Sequence, residues 1–216
     1  MPVSALLIGI VLLGTAIGTS GFSAAHPGMD SITYQLNADT GQATWLSSDQ
    51  HLDDWTRQFF PASTGQGPFQ AQASLVALAA PTVTLLSDTM SGGVRTLQVQ
   101  VASPRHAENA IVQVEAQGEI IAATLDGKPF DLRAFSESAR HRLQFNYYAL
   151  PDKGFELGLS IRSAAPVKIT VQDLSTGLPT IPGMTIRPRP AYLMPASVGF
   201  APSDPTIVIK SFTFAR

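Results

Sequence analysis

Few residues of this chain have types and spacing that could do chemistry. His51 and Asp53 stand two positions apart, and an imidazole with a carboxylate can begin a zinc site because zinc accepts nitrogen and oxygen ligands. A complete site needs more ligands, and His26, His106 and His141 lie in unrelated turn-like contexts, with no Glu-Glu pair or spaced carboxylate to complete the set. We therefore interpret His51 and Asp53 as the solvated face of a short helix. The sequence predicts no metal ligand in this chain.

Candidates for nucleophilic or acid–base catalysis are equally few. Ser160 lies inside a strand pattern, and the Gly-x-Ser-x-Gly elbow of a serine hydrolase does not occur. Asp53 and Asp54 are the one adjacent pair of carboxylates, and the remaining aspartates stand mostly in turns, where they usually accept bonds from nearby backbone. The sequence thus predicts no catalytic and no cofactor-binding residue. A further alternative is a hydrolase whose active site contains none of these motifs, and it would require a cleft in which carboxylates converge.

Composition limits the classes of function. With 216 residues, 44% hydrophobic and 14% charged, the chain can bury one substantial core. A formal net charge of -2 with scattered lysines and arginines provides no basic field for phosphates, so nucleic acid is not an expected partner. Cysteine is absent, which excludes disulfides and thiolate catalysis.

The N-terminal residues 1–22 are apolar or small, and the first formally charged side chain is Asp30. Because a bilayer core of ~30 Å is crossed by about 20 apolar residues in a helix, residues 1–22 are predicted to form a membrane helix. A cleaved signal peptide is the alternative, since small residues follow at 23–25, although its positively charged start is missing. The missing flanking Lys and Arg also suggest the last span of a longer protein.

A linker is predicted for residues 23–31, where Pro27 and Gly28 interrupt any helix. A β-hairpin follows within residues 32–60, with apolar residues at every second position on both sides of the turn at 37–41. A short α-helix ending at Phe60 is then predicted, capped by Ser47 or Asp49. Its apolar face comprises Leu52, Trp55 and Phe59, and its polar side carries an ion pair between Asp53 and Arg57.

Aromatic residues are concentrated in this hairpin and helix. They allow three interpretations: a local core, anchors at a membrane surface, or a surface for a protein partner or a sugar. The candidate interface residues are Tyr34, Trp45, Trp55, Phe59 and Phe60.

The rest of the chain is a succession of strand patterns separated by turn residues. Eight segments alternate apolar with polar residues or are rich in β-branched and aromatic types, which predicts a mainly β fold, an antiparallel β-sandwich within an extracytoplasmic domain 32–216. A proline-rich stretch, 177–205, is expected to run irregularly and to pack through its own apolar side chains. The segments are 81–88, 94–103, 109–118, 119–127, 142–150, 155–163, 167–175 and 206–214. The packing residues are Ile181, Met184, Ile186, Tyr192, Leu193 and Met194.

Motifs at both ends of the chain resemble one family. The first group contains His26-Pro27, the Tyr-x-Leu-x-Ala-Asp-Thr-Gly run at 34–41, Trp45 and the Asp-x-Trp-Thr-x-x-Phe run at 53–59. The second group contains 173–179, Arg189-Pro190, Met194-Pro195 and Ser203-Asp204. In that order they are similar to the C-terminal region of bacterial membrane-bound zinc exopeptidases related to the endoplasmic-reticulum metallopeptidases.

The resemblance implies a last membrane helix followed by a β-rich domain on the extracytoplasmic, periplasmic side, where the peptidase domain also lies. It implies zinc only in that peptidase domain, because the two His, two Asp and paired Glu of a two-zinc centre are missing from this chain. The implied partners are the peptidase domain and membrane helices of the same parent protein, or a second copy in a homodimer. The implied role is a non-catalytic lid, gating, assembly or folding-support module. The alternative is an independent envelope module that binds glycan or protein.

Overall fold

The computed structural model describes residues 22–132, 140–196 and 203–215. These residues form a mainly β structure, as predicted, with fourteen strands and a four-residue 3-10 helix at Thr56–Phe59. The strands are β1 Gly28–Asp30, β2 Thr33–Asn37, β3 Gln42–Ser47, β4 Phe69–Gln72, β5 Thr82–Ser91, β6 Val94–Ala102, β7 Asn109–Ala116, β8 Ile120–Leu125, β9 Lys128–Phe130, β10 Arg142–Tyr148, β11 Phe155–Ile161, β12 Val167–Ser175, β13 Leu193–Pro195 and β14 Thr206–Phe214.

The strands form three sheets. A seven-stranded sheet has the order β10-β7-β12-β14-β2-β3-β4, a five-stranded sheet has the order β5-β6-β11-β8-β9, and β1 pairs with β13 in a two-stranded ribbon. Each of the eight predicted strand segments contains an observed strand. The expectation of purely antiparallel pairing is wrong at two places, because β14 runs parallel to β2 and β1 runs parallel to β13. Alternation within one segment carries no information about the direction of a partner far away in the chain.

One apolar core lies between the two larger sheets. Leu97, Val99 and Val101 on β6 have no exposed surface, and they belong to the same buried cluster as Val112 and Val114 on β7 of the other sheet. Each fully buried aliphatic side chain of this kind contributes roughly 1.5–3 kcal/mol relative to an exposed one. Buried residues alternate with half-buried residues along β6 and β7, so each strand has one apolar face. Packing of these faces holds the two sheets against each other.

The predicted hairpin is present as β2 and β3, and it is part of the seven-stranded sheet through the parallel pairing of β2 with β14. Its turn follows the expected chemistry, because the Asn37 side chain accepts hydrogen bonds from the backbone N–H groups of Asp39 and Thr40. Gly41 then closes the turn in the left-handed region, with φ of 69°. A second buried cluster, rich in aromatic residues, packs around this hairpin.

The prediction of an α-helix before Pro61 is wrong, since residues 48–60 contain only the 3-10 helix Thr56–Phe59. The expected caps, Ser47 and Asp49, do not cap it. The Asp53 carboxylate fixes a turn at Trp55 and Thr56, and Pro61 cannot continue a helix, so only one short helical turn fits between them.

The segment expected to be a linker, 23–31, is structured. Ser23 and His26 exchange two backbone hydrogen bonds of 3.0 Å in a tight turn, and β1 follows directly. Residues 1–21 of the predicted membrane helix lie outside the described residues. None of the helical segments that the structure describes is long and apolar enough to cross a bilayer.

The proline-rich stretch packs only in part as expected. Ile181 and Leu193 are buried in the aromatic-rich cluster, and Met184 and Ile186 pack against it. Two of the six residues contradict the prediction, because Tyr192 and Met194 are 39% and 42% exposed.

Replacing Gly154 by Ala should test how closely β6 and the turn before β11 approach each other. Gly154 has φ of 73°, and an added Cβ would collide with the carbonyl oxygen of Val101. We expect Gly154→Ala to lower the free energy of unfolding by about 2–5 kcal/mol, from left-handed strain plus the collision. Gly41→Ala is the matched control, since its φ is similar and its surroundings are open, and it should cost about 1–2 kcal/mol. Equal losses in urea unfolding would contradict the collision.

Candidate functional site

Asp53 and Arg57, which the sequence offered for a metal site or an ion pair, make hydrogen bonds with nearby backbone groups. The Asp53 carboxylate accepts hydrogen bonds of 2.7 and 2.8 Å from the backbone N–H groups of Trp55 and Thr56, which fixes the turn directly before the 3-10 helix. Arg57, its predicted ion-pair partner, instead donates to the carbonyl oxygen of Leu52. His51 is exposed before this helix. Within the described ranges, no group of three His, Cys, Asp or Glu residues lies close enough together to hold a metal ion.

Other turn carboxylates are also engaged in local contacts. Asp126 accepts hydrogen bonds from the Glu156 backbone N–H and from the Tyr147 hydroxyl. Asp152 lies 2.9 Å from Nδ1 of His106 at an exposed site. These contacts brace neighbouring turns and strands, and they do not bring two carboxylates together across a cleft.

Asp173 is fully buried on β12 and has two partners from the turn after β6. The Ser103 hydroxyl donates to one carboxylate oxygen, and the Arg105 guanidinium donates to the other at 2.7 Å. The same guanidinium reaches the Ser175 hydroxyl at 2.9 Å. Because a buried charge is tolerated only when it is paired, this arrangement fixes the turn between β6 and β7 against β12.

The five candidate interface residues lie inside the molecule. Tyr34, Trp45, Trp55, Phe59 and Phe60 are each at most 5% exposed and belong to the aromatic-rich cluster. Ring centroids are 5.2 Å apart for Tyr34 and Trp45, 4.7 Å for Trp45 and Phe59, and 5.3 Å for Trp55 and Phe59. Tilted and edge-on pairs at these distances stabilise a core beyond the area they bury. For a membrane or a partner to touch these faces, the cluster would first have to open.

Two of these aromatics also make polar contacts that hold distant segments. The Tyr34 hydroxyl donates to the carbonyl oxygen of Ser74 at 3.0 Å and accepts from the Val76 N–H at 3.1 Å. Burial raises the pKa of the Tyr34 hydroxyl above its usual value, so it keeps its proton and remains a donor. The indole N–H of Trp55 donates to the carbonyl oxygen of Arg187 at 2.6 Å.

The site that sequence reasoning missed is an ionic network centred on Arg189. Its guanidinium makes two hydrogen bonds to the Asp204 carboxylate, at 2.6 and 2.8 Å, in a bidentate geometry. Its Nε donates to Asp30 Oδ2 at 3.2 Å, and the guanidinium carbon lies 4.0 Å from the centre of the Trp55 ring. One cation thus meets two carboxylates and one aromatic face.

Asp30 is the most perturbed group in this network. It is 1% exposed, and its Oδ1 lies 2.7 Å from an Arg189 nitrogen without an aligned hydrogen bond. Burial raises the pKa of the Asp30 carboxyl to about 6, although Arg189 acts in the opposite direction, while the charges of Asp53 and Asp204 add to the rise. Burial alone would lower the pKa of Arg189, but the bonds and charges of Asp204 and Asp30 outweigh it and raise that pKa.

This network joins segments that are far apart in the chain. Asp30 belongs to β1, Arg189 precedes β13, Asp204 precedes β14, and Trp55 directly precedes the 3-10 helix. A sequence signal existed, since Arg189 and Asp204 both occur in the motifs of the family resemblance, but nothing in the sequence pairs them. With its charges buried and mutually engaged, the network has the character of a structural clamp.

An open groove of about 740 Å³ lies at the edge of the seven-stranded sheet, next to β3 and β4. Its walls are the segments 41–44 and 70–75, which contribute amide and hydroxyl side chains and no aromatic ring. It is separate from the Arg189 network, since the two share no residue.

Comparison with known proteins adds no relative. No family model matches the chain, and no curated protein is significantly similar to it. The resemblance to zinc exopeptidases therefore stays a prediction.

Replacing Trp55 should show how much the aromatic-rich cluster contributes to stability. Trp55→Ala removes a 5%-exposed ring, its contact with Phe59 and the face under Arg189, so we expect the free energy of unfolding to fall by roughly 3–5 kcal/mol. Trp55→Phe is the matched control, because it keeps a ring while losing the N–H donor to Arg187, and it should cost less. Urea unfolding measures both, and a neutral result for Trp55→Ala would contradict the cluster's role.

Asp30 should make stability depend on pH with a defined sign. Its pKa in the folded chain, about 6, lies above the ordinary 3.8, so the folded state holds this proton more tightly than the unfolded state. The contribution of Asp30 to stability should therefore fall as the pH rises from about 4 to about 7. We expect the difference in unfolding free energy between the wild type and Asp30→Asn to change across this window and to level off above it. A difference independent of pH would contradict the raised pKa.

Proposed function

We propose that this chain is the non-catalytic, membrane-tethered β-sandwich module of a zinc-dependent exopeptidase. In this proposal residues 1–22 are its membrane helix, and the module 23–216 lies on the extracytoplasmic side. Its role is to support the folding, assembly or gating of the peptidase domain. The peptidase domain of the same parent protein supplies the zinc and the chemistry.

The observation that carries the proposal is the short, ordered connection between the apolar N-terminal segment and the folded domain. Only residues 23–27 separate Phe22 from β1, and part of them is closed into the Ser23–His26 turn. β1 is then clamped, because Asp30 at its end contacts Arg189 and its backbone pairs with β13. A membrane helix ending at Phe22 would thus hold the domain in one orientation, which is what a gating or assembly module requires and a loosely tethered binding domain does not.

The engagement of charged side chains supports a non-catalytic role. The buried carboxylates Asp30 and Asp173 are paired with arginines, and Asp53 holds the turn before the 3-10 helix. General acid–base catalysis needs a group within reach of a substrate, and these carboxylates are aimed at the protein itself.

The alternative, an independent envelope module that binds glycan or protein, has one feature in its favour, the open groove beside β3 and β4. Amide side chains such as Gln70 and Gln72 line it and could pair with sugar hydroxyls or with a peptide backbone. Without an aromatic ring in its wall, the groove does not have the stacking surface that would strengthen sugar binding. The reading frame upstream of Met1 separates the two proposals, since an in-frame peptidase favours the module.

The proposal predicts the outcome of an activity assay on the full chain. Inserted in lipid vesicles and supplied with zinc, it should hydrolyse no aminopeptidase substrate, because the chemistry belongs to another domain. In the parent enzyme, Arg189→Met should reduce peptidase yield or activity, while Arg142→Met, at an exposed site on the outer strand β10, should leave both unchanged. Zinc-dependent peptide hydrolysis by this chain alone would contradict the proposal. Unchanged peptidase yield and activity in the Arg189→Met parent enzyme would contradict it as well.

A further inference from the structure

Exposed apolar side chains gather around the two-stranded ribbon of β1 and β13. Phe22 and Met29 are 70% and 71% exposed, and Met194 and Tyr192 are 42% and 39% exposed. Scattered exposed apolar residues are normal on a protein surface, but a group of four at one short ribbon is a patch. We call these four residues the ribbon patch.

The geometry of the ribbon places Met29 and Met194 together on one face. Phe22 lies at the Gly28 face of β1, and Tyr192 stands at the start of β13. Met29 and Met194 are register partners in the parallel pair, so their side chains leave the same side of the ribbon next to each other. The Gly28 backbone N–H donates to the carbonyl oxygen of Tyr192 at 2.9 Å. The Phe22 ring lies against Gly28, since a Cβ added there would be 2.6 Å from it.

The ribbon also presents almost no charge. The segments 22–31 and 190–196 contain a single formally charged side chain, Asp30, and it is 1% exposed and paired with Arg189. A surface meant for water would normally carry lysine, glutamate or aspartate on such a ribbon. Nothing on these two segments would therefore have to lose the hydration of a charge on entering an apolar medium.

The position of the patch in the chain indicates what covers it. Phe22 directly follows the apolar segment 1–21, which is long enough to cross a bilayer as a helix. The turn at Ser23–His26 then brings the chain back, and Gly28 lies under the Phe22 ring. If the apolar segment spans the membrane, the ribbon patch is placed at the level where the span leaves the lipid.

We infer that the ribbon patch enters the boundary between headgroups and acyl chains of the lipid bilayer beside the span. This inference rests on the membrane tether of the proposed function and adds the surface that touches lipid. Methionine side chains adapt to an irregular surface, and a tyrosine with an apolar ring and a polar tip suits this depth. The Arg189 clamp behind the ribbon turns that contact into a fixed orientation of both sheets relative to the membrane.

A fluorescence experiment on the full chain tests this contact directly. The chain has no cysteine, so Met29→Cys, Met194→Cys and Leu85→Cys each create one attachment point for an environment-sensitive dye. Leu85 is the matched control, since it is 48% exposed and lies on β5 at the edge of the five-stranded sheet. The labelled chains are placed in phosphatidylcholine vesicles with or without a lipid that carries a quencher at the start of its acyl chain.

We expect the dye at residues 29 and 194 to shift to shorter wavelength on insertion and to lose most of its emission with the quencher lipid, while the dye at 85 does neither. Equal unfolding midpoints of the three labelled chains show that each is folded. If Met29→Cys destabilises the chain, Met194→Cys and Tyr192→Cys provide the same measurement.

Flotation of the unlabelled chain with the vesicles separates two failures. If the chain floats and the dye at 29 and 194 behaves like the dye at 85, the contact with lipid is wrong and the tether stands. A chain that does not float overturns the tether, and the inference with it. The dye could instead shift to shorter wavelength only at a high ratio of protein to lipid, with no quenching by the quencher lipid. That result would overturn the inference and indicate a contact between two copies of the chain.

Discussion

The way the two ends of the chain meet depends on one guanidinium. Arg189 contacts two carboxylates and the face of a tryptophan, and each of these groups comes from a different part of the chain. Burial of Asp30 raises the pKa of its carboxyl to about 6, although Arg189 opposes the rise, and the nearby negative charges of Asp53 and Asp204 add to it. Such a network contributes little net stability compared with apolar packing of the same volume, and its effect is to select one arrangement of β1, β13, β14 and the 3-10 helix.

The cluster between the larger sheets and the aromatic-rich cluster stabilise different parts of the fold. The cluster between the larger sheets is mainly aliphatic and contains more buried residues than the other cluster, so it supplies most of the apolar burial. The aromatic-rich cluster is smaller and joins the hairpin, the 3-10 helix and the proline-rich stretch, which have few regular hydrogen bonds among themselves. Large rings suit that place, because each one contacts several segments at once. The same cluster supports the ribbon on which the proposed contact with lipid depends, since Leu193 on β13 is one of its members.

Much of the fold was readable from local pattern, and the candidate site was not. The eight strand segments and the Asn37 turn follow from alternation and turn chemistry, which act over a few residues. The helix before Pro61 was mistaken for an α-helix because spacing alone did not reveal that the Asp53 turn leaves room for only one short helical turn. Short strands such as β1 and β13 have no pattern of their own, since three residues give no period to detect.

The sequence by itself determined that the chain is mainly β, where its longer strands run, and that its apolar start differs from the rest, because each of these depends on neighbouring residues and their affinity for water. Only the tertiary structure decided that β2 runs parallel to β14, that Arg189 joins Asp30 to Asp204, and that the aromatics lie inside while Met29 and Met194 lie outside. The physical reason is that ion pairs and strand partners are chosen by three-dimensional proximity, which chain spacing does not encode.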